Sequence, residues 1–312
     1  MYTIAQVKKA FQKPRNAIME LNSVYHQRLS NEFNMGGTDF IKEDWDTLII
    51  LDSCRYDIFR GRHEFNGDLQ SRISRGAGTY EFLKGNVSEK FLLDTVYVTA
   101  NPQFHYHRDE LRAKFHEVWN IWQNRWNRQL NTVLPEETTG AAKEANELYP
   151  NKRLIIHYNQ PHAPYIGPTG RESDGLTGKA REDVGNNNAS FLGGLIRDIS
   201  HPFSAEEHRQ AYIENLDTVL SSVKELLENL EGRIVVTSDH GQLLGERVYP
   251  IPVKYHGHRR GVHVDKLVKV PWLVIDSGER KEVISEKPNE SQNNIDNDTV
   301  TDRLHDLGYL EY

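Results

Sequence analysis

The chain has 312 residues, enough for one large domain or two modest ones with a real core. Its 37% hydrophobic and 27% charged content is that of a globular protein in water, and a formal net charge of −7 gives no electrostatic footprint for nucleic acid. The single cysteine, Cys54, excludes an intrachain disulfide and a multi-cysteine zinc site; no apolar run is long enough for a secretory signal or a membrane span, so a cytoplasmic enzyme without an integral membrane segment is expected.

Residues 1–40 read as an N-terminal helical extension, with Ile4, Val7, Ala10 and Phe11 at helical spacing before Pro14 interrupts. The first strong strand is Thr47-Leu48-Ile49-Ile50-Leu51, an unbroken apolar run suited to burial on both faces, and it ends abruptly at Asp52-Ser53. A shorter strand follows at Thr95–Thr99. From Asp109 to about Leu130, Phe115, Val118, Trp119, Trp122 and Trp126 fall at helical spacing and predict a helix packed by aromatic side chains. Arg153–Tyr158 is another buried-type strand, followed by a polar loop to Tyr165. Residues 167–200, rich in Gly, Asn and Asp, read as a loop or lid insertion.

Ser204 with Glu207 forms a capping-box pattern opening a helix that runs towards Leu230. Gly232–Thr237 is a strand ending in Ser238-Asp239-His240, and Pro271–Ile275 is one more. Residues 278–312 then read as a polar linker and a short closing helix, Asp302–Leu307, leaving 41–277 as the main domain. Alternating strands and helices give an α/β fold with a central, mostly parallel sheet flanked by helices on both faces. Such sheets bind ligands beyond the carboxyl ends of their strands, and Asp52, His157 and Asp239 stand at or near three of those ends.

Asp239 and His240 offer a hard oxygen and a borderline nitrogen to one crevice, which suits a divalent cation. Gly241 after them and Asp52 on an equivalent strand sharpen the signal. Fourteen histidines are present, and His157, His162, His240, His256, His258 and His263 all lie in the second half.

Three blocks then occur in order: Leu48 to Ser53; His157-Tyr158-Asn159-Gln160-Pro161-His162-Ala163-Pro164-Tyr165; and Val235 to Glu246, with Asp239-His240-Gly241 inside it. Gly257-His258, Val270-Pro271-Trp272-Leu273 and the closing Arg303-Leu304 to Leu307-Gly308-Tyr309-Leu310 follow. From about residue 45 onward the chain resembles the sulfatase branch of the alkaline phosphatase superfamily. The resemblance implies that Asp52, Asp239 and His240 bind metal, and that a nucleophile opens a helix downstream of the first aspartate. The matching segment is Ser74 to Leu83, and Thr79 is the nucleophile chosen, itself a metal ligand, with Ser74 as the fallback and helix capping as the alternative role for Thr79.

By the same resemblance His162 contacts a substrate oxygen or assists the leaving group, and His258 does the same or binds metal, with His256 and His263 as rivals for the second place. Arg55 either pairs with the transferred anion or forms a structural salt bridge. Two departures shape the expectation. No Cys-x-Pro-x-Arg context for a formylglycine exists, and Cys54 sits beside Asp52 instead, which turns the reading from sulfate towards phosphate. Asp217 has Ser221, not histidine, four places on, which favours one metal ion: Mn, Mg, Ca or Zn. The expected function is metal-dependent hydrolysis of a phosphate or sulfate ester, on a small-molecule or glycan anionic substrate, by a threonine nucleophile. Transfer of a phosphoryl head group to an alcohol, or a non-catalytic metal-binding protein of the same fold, are the alternatives.

Overall fold

The computed structural model describes residues 21–22, 24–26, 32–172, 204–288 and 297–309. Most of the N-terminal helix expected before residue 30, and all but the start of the expected 167–200 insertion, lie outside these; residues 21–22 and 24–26 are helical.

Seven strands form one sheet in the order β2-β11-β8-β1-β7-β3-β4. They are β1 (Thr47–Asp52), β2 (Asp68–Ile73), β3 (Phe91–Thr99), β4 (Lys114–Asn120), β7 (Arg153–Pro161), β8 (Gly232–Thr237) and β11 (Lys269–Ser277). Two short pairs stand apart, β5 (Trp126–Asn127) with β6 (Thr132–Val133), and β9 (Leu243–Val248) with β10 (Val253–Gly257). The run β8-β1-β7-β3-β4 is parallel, and β11 lies antiparallel between β8 and β2. The sheet is therefore mostly parallel, as the buried apolar runs demand.

The period of two along each strand feeds two cores. Ile49, Leu51, Val96, Val98, Leu154, Ile156, Ile234 and Val236 face one layer, where α3 (Pro135–Leu148) and α4 (Ala205–Leu227) pack. Leu48, Ile50, Tyr97, Ile155 and Val235 face the other, against Phe82, Leu83 and Val87 of α2 (Thr79–Val87). Every residue of β1 is buried, and each of its four apolar side chains contributes about 1.5–3 kcal/mol from burial. A further helix, α1 (Tyr56–Arg62), follows β1.

The capping box opening α4 forms as expected: Ser204 accepts from the Glu207 amide while Glu207 accepts from the Ser204 amide. The helix expected over residues 109–130 does not form. Lys114–Asn120 is instead an edge strand paired with β3, and Trp122 and Trp126 follow in a 3₁₀ turn and in β5. Aromatic residues fit a half-buried pleated surface, and pairing with β3 outweighed the chance helical spacing. The closing helix, α5 (Asn297–Asp306), starts earlier than expected and buries Val300 and Leu304 in the main core.

Candidate metal centre

Four neighbouring strands deliver the site from their carboxyl ends. β1 ends at Asp52, β3 leads to Asn101, β7 to His162, and β8 to Asp239-His240. All are buried. Ser53, in the left-handed region at φ 65°, turns its amide onto Asp239 Oδ1 at 3.0 Å. Its carbonyl accepts from Tyr212 on α4 at 2.8 Å, which offsets the backbone strain of that conformation.

Thr79 is the first residue of α2, and Gly78 is its N-cap. Its hydroxyl does not cap the helix; it donates to Asp239 Oδ2 at 2.8 Å and lies 3.4 Å from His240 Nε2. His240 Nδ1 donates to the Gly241 carbonyl at 2.8 Å, which leaves the Nε2 lone pair facing Asp239 Oδ2 at 3.3 Å and Asp52 Oδ1 at 3.5 Å. Asp52, Thr79, Asp239 and His240 thus converge. Beneath them, His157 Nε2 is fully buried without a hydrogen-bond partner, 3.9 Å from Asp239 Oδ2. Asp52, His157 and Asp239 can each turn a ligand atom into one cluster whose members lie within 4.8 Å of one another.

The electrostatics match a cation. Burial, and then the neighbouring Asp239 charge, push the Asp52 carboxyl well up, despite hydrogen bonds from Tyr309, Ser53 and Asn101. Burial also acts to raise Asp239, but His240, His157, the Ser53 amide and the Thr79 hydroxyl together hold it below the ordinary carboxylate value. Burial lowers the His157 imidazole to about 4, against the pull of Asp239, so it is neutral at pH 7 and keeps a lone pair. Two buried carboxylates, two imidazoles and a hydroxyl are a donor set for a divalent ion, and the unpartnered His157 nitrogen fits the same reading.

Above this cluster, His162 and His258 face each other with their Nε2 atoms 3.0 Å apart. His162 Nδ1 donates to the Ala163 carbonyl at 2.5 Å, so its Nε2 accepts and His258 Nε2 carries the shared proton. Burial, helped by His240 and His162, holds His258 well below the usual imidazole value. The loop bearing His162 is latched by Asn215 of α4, whose Nδ2 donates to the His162 and Pro164 carbonyls at 3.1 Å each and whose Oδ1 accepts from the Ile166 amide at 2.7 Å. Of the rival histidines, His256 sits against His208 at 3.0 Å and His263 lies 3.7 Å from Glu81; His258 is the one near His162 and His240.

Two candidates are engaged by the fold itself. Arg55 is buried, and its guanidinium donates to Asp57, Glu246 and the Gln242 carbonyl, the salt-bridge alternative expected for it. Ser74 is tied to backbone: its hydroxyl donates to the Asp239 carbonyl and accepts from the Gly76 amide at 3.0 Å. Three residues were given no role from the sequence. Asn101 donates to Asp52 Oδ2 at 2.8 Å, Tyr309 reaches the same oxygen, and Glu81 bridges two loops, accepting from the Ala77 and Gly261 amides at 2.8 Å each. None belongs to a local pattern of metal-ligand type.

Among solved structures, the chain is similar to the C-terminal periplasmic domain of EptC from Escherichia coli in complex with zinc, at 14% identity over 77% of this chain and 75% of that one, with a TM-score of 0.47. The corresponding domain of phosphoethanolamine transferase EptC from Campylobacter jejuni gives 13% identity over 73% and 78%, TM-score 0.43. A phosphonate monoester hydrolase from Silicibacter pomeroyi gives 14% over 85% and 73%, TM-score 0.40. No curated protein matches the chain in sequence. The family model described as Sulfatase matches residues 83–307, well over half of the sequence, and the chain belongs to the sulfatase family.

Proposed function

We propose that the protein hydrolyses phosphate esters, with sulfate esters the lesser substrates, using Thr79 as a covalent nucleophile at a metal centre held by Asp52, Thr79, Asp239 and His240, with His157 beside them. The observation that carries this reading is the placement of Thr79: first residue of a nine-residue helix, buried, and within 2.8 Å of Asp239 Oδ2. A divalent ion there would neutralise charge on the nonbridging oxygens and favour the threonine alkoxide.

The residues account for the remaining requirements. The free amides at the start of α2 attract the anionic group to Thr79. Thr79 Oγ1 directs its proton to Asp239 Oδ2, leaving an oxygen lone pair for attack. The Thr79 oxygen–phosphorus bond forms as the bond to the leaving oxygen breaks; the Thr79 proton passes to Asp239 Oδ2, and the leaving oxygen, hydrogen-bonded by the N–H shared between His162 and His258, takes a proton from solvent. Water then cleaves the threonine ester: its oxygen bonds to phosphorus, its proton goes to solvent, and the departing Thr79 oxygen takes its proton back from Asp239. An unmodified threonine in the nucleophile's place supports phosphorus over sulfur.

The test pairs aryl phosphate, phosphodiester and aryl sulfate substrates with metal-supplemented wild type and Thr79→Ala, and includes an alcohol acceptor. Loss of at least about a thousandfold in turnover is expected for the variant, with a phosphorylated Thr79 peptide trapped from wild type. Full activity in Thr79→Ala would discard this nucleophile. Product appearing only on the alcohol would make the protein a transferase.

A further inference from the structure

Tyr309 reaches the centre from the C-terminal end of the described chain. Gly308, at φ 83°, closes α5 in a Schellman turn: its amide donates to the His305 carbonyl and the Tyr309 amide to the Leu304 carbonyl, each at 2.9 Å. That reversal points the Tyr309 side chain back into the site. Its phenol donates to Asp52 Oδ2 at 2.5 Å, accepts from Asn101 Nδ2 at 3.0 Å, and lies 3.2 Å from Thr79 Oγ1. Its ring stacks on His162, centroids 5.1 Å apart and planes 16° from parallel.

Proton accounting separates these contacts from mere packing. Thr79 spends its one proton on Asp239 and Tyr309 spends its one proton on Asp52, so the phenol joins Asn101 as one of two donors that fix Asp52 Oδ2. Asp52 is held at both oxygens: Oδ2 accepts from Asn101 and Tyr309, and Oδ1 accepts from Ser53 Oγ at 3.1 Å. Rotation of the carboxylate would break both bonds at Oδ2. Anchoring of α5 does not need the hydroxyl, because Val300, Leu304 and Leu307 are already buried.

We propose that Tyr309 is a positioning residue of the metal centre: its O–H fixes the carboxylate plane of Asp52, and its ring fixes the tilt of His162. This rests on the reading of Asp52, Thr79, Asp239 and His240 as metal ligands. The C-terminal turn, far from the ligands in sequence, thereby sets how tightly the site holds its ion.

The experiment measures Mn²⁺ and Zn²⁺ dissociation constants by equilibrium dialysis for the full chain and for Tyr309→Phe, Tyr309→Leu and Asp239→Asn, with turnover at saturating metal. Partners that orient metal ligands are worth about 10–100-fold in affinity, so Tyr309→Phe and Tyr309→Leu are expected to weaken binding by that factor. The leucine variant, lacking the ring, is expected to turn over at least about tenfold more slowly than the phenylalanine variant. Wild-type affinity in Tyr309→Phe alongside lost binding in Asp239→Asn overturns the role of Tyr309 alone; wild-type affinity in Asp239→Asn overturns the metal reading beneath it. Should the variants fail to fold, hydrogen exchange on wild type decides: metal is expected to slow exchange in the Leu307–Tyr309 turn, and unchanged exchange refutes the proposal.

Discussion

Glu81 offers a demanding test of how this site is held together. Its buried side chain accepts from the Ala77 amide, in the loop leading into Thr79, and from the Gly261 amide, in the loop that carries His258, at 2.8 Å each. Glu81→Ala removes both acceptors and leaves two amides facing each other across a small void. An unsatisfied buried amide costs about 1–3 kcal/mol, so the pair costs about 2–6 kcal/mol, a large share of the roughly 5–15 kcal/mol that stabilises a typical domain. With a urea dependence of about 2 kcal/mol per molar, the unfolding midpoint should fall by about 1–3 M. The variant should also lose turnover, because Thr79 and His258 no longer share a strut. Denaturant titration by circular dichroism and steady-state kinetics measure the two effects. A midpoint within about 0.3 M of wild type would refute the reasoning, since the amides would then have found other partners.

Other outcomes follow from the same contacts. Arg55→Met leaves Glu246 with only the Leu244 amide and Asp57 with only Lys266, both partly open to water; a loss of about 1–3 kcal/mol in thermal stability is expected, with KM within about twofold of wild type. A tenfold rise in KM would return Arg55 to the substrate. His157, lowered to about 4 by burial, is neutral when folded and takes a proton near pH 6.5 when unfolded. Its contribution is therefore complete above pH 6.5 and fades as the pH falls towards 4, about 3 kcal/mol in all. Chelated wild type should show this slope in urea titrations, His157→Gln should flatten it, and equal slopes would dismiss the assignment. Added Mn²⁺ at about a hundred times its dissociation constant should stabilise the chelated protein by about 2.7 kcal/mol, seen as a rise in melting temperature. An unmoved melt would count against a folded-state ion site.

Much of this architecture is legible in the sequence because buried parallel strands announce themselves. Leu48–Leu51, Leu154–Ile156 and Ile234–Val236 are uninterrupted apolar cores, and the strands expected from Thr47, Arg153 and Gly232 begin where the structure begins them. Their polar ends located Asp52 and Asp239, and family resemblance supplied Thr79, His162 and His258. What stayed hidden depends on contacts between distant segments. The Trp119 region is a strand because β3 pairs with it, which spacing cannot reveal. Asn101, Glu81 and Tyr309 are single polar residues with no period or cluster of their own. Arg55 lies three residues beyond Asp52, yet only the fold brings Glu246 to join its neighbour Asp57 in consuming its charge.

The third member of the Asp239-His240-Gly241 block carries a different kind of information. A methyl group on Gly241 would stand 2.1 Å from the Lys266 carbonyl oxygen, and the Gly241 amide donates to the Leu267 carbonyl at 2.7 Å. Two lengths of backbone cross there with no clearance for a side chain. On the proposed metal reading the triplet is a composite signature, two letters set by the ion and one by a chain crossing. Under that reading a relative that had abandoned the chemistry would be free to change the first two while still being held to the glycine, so Asp and His would report on chemistry and Gly on shape.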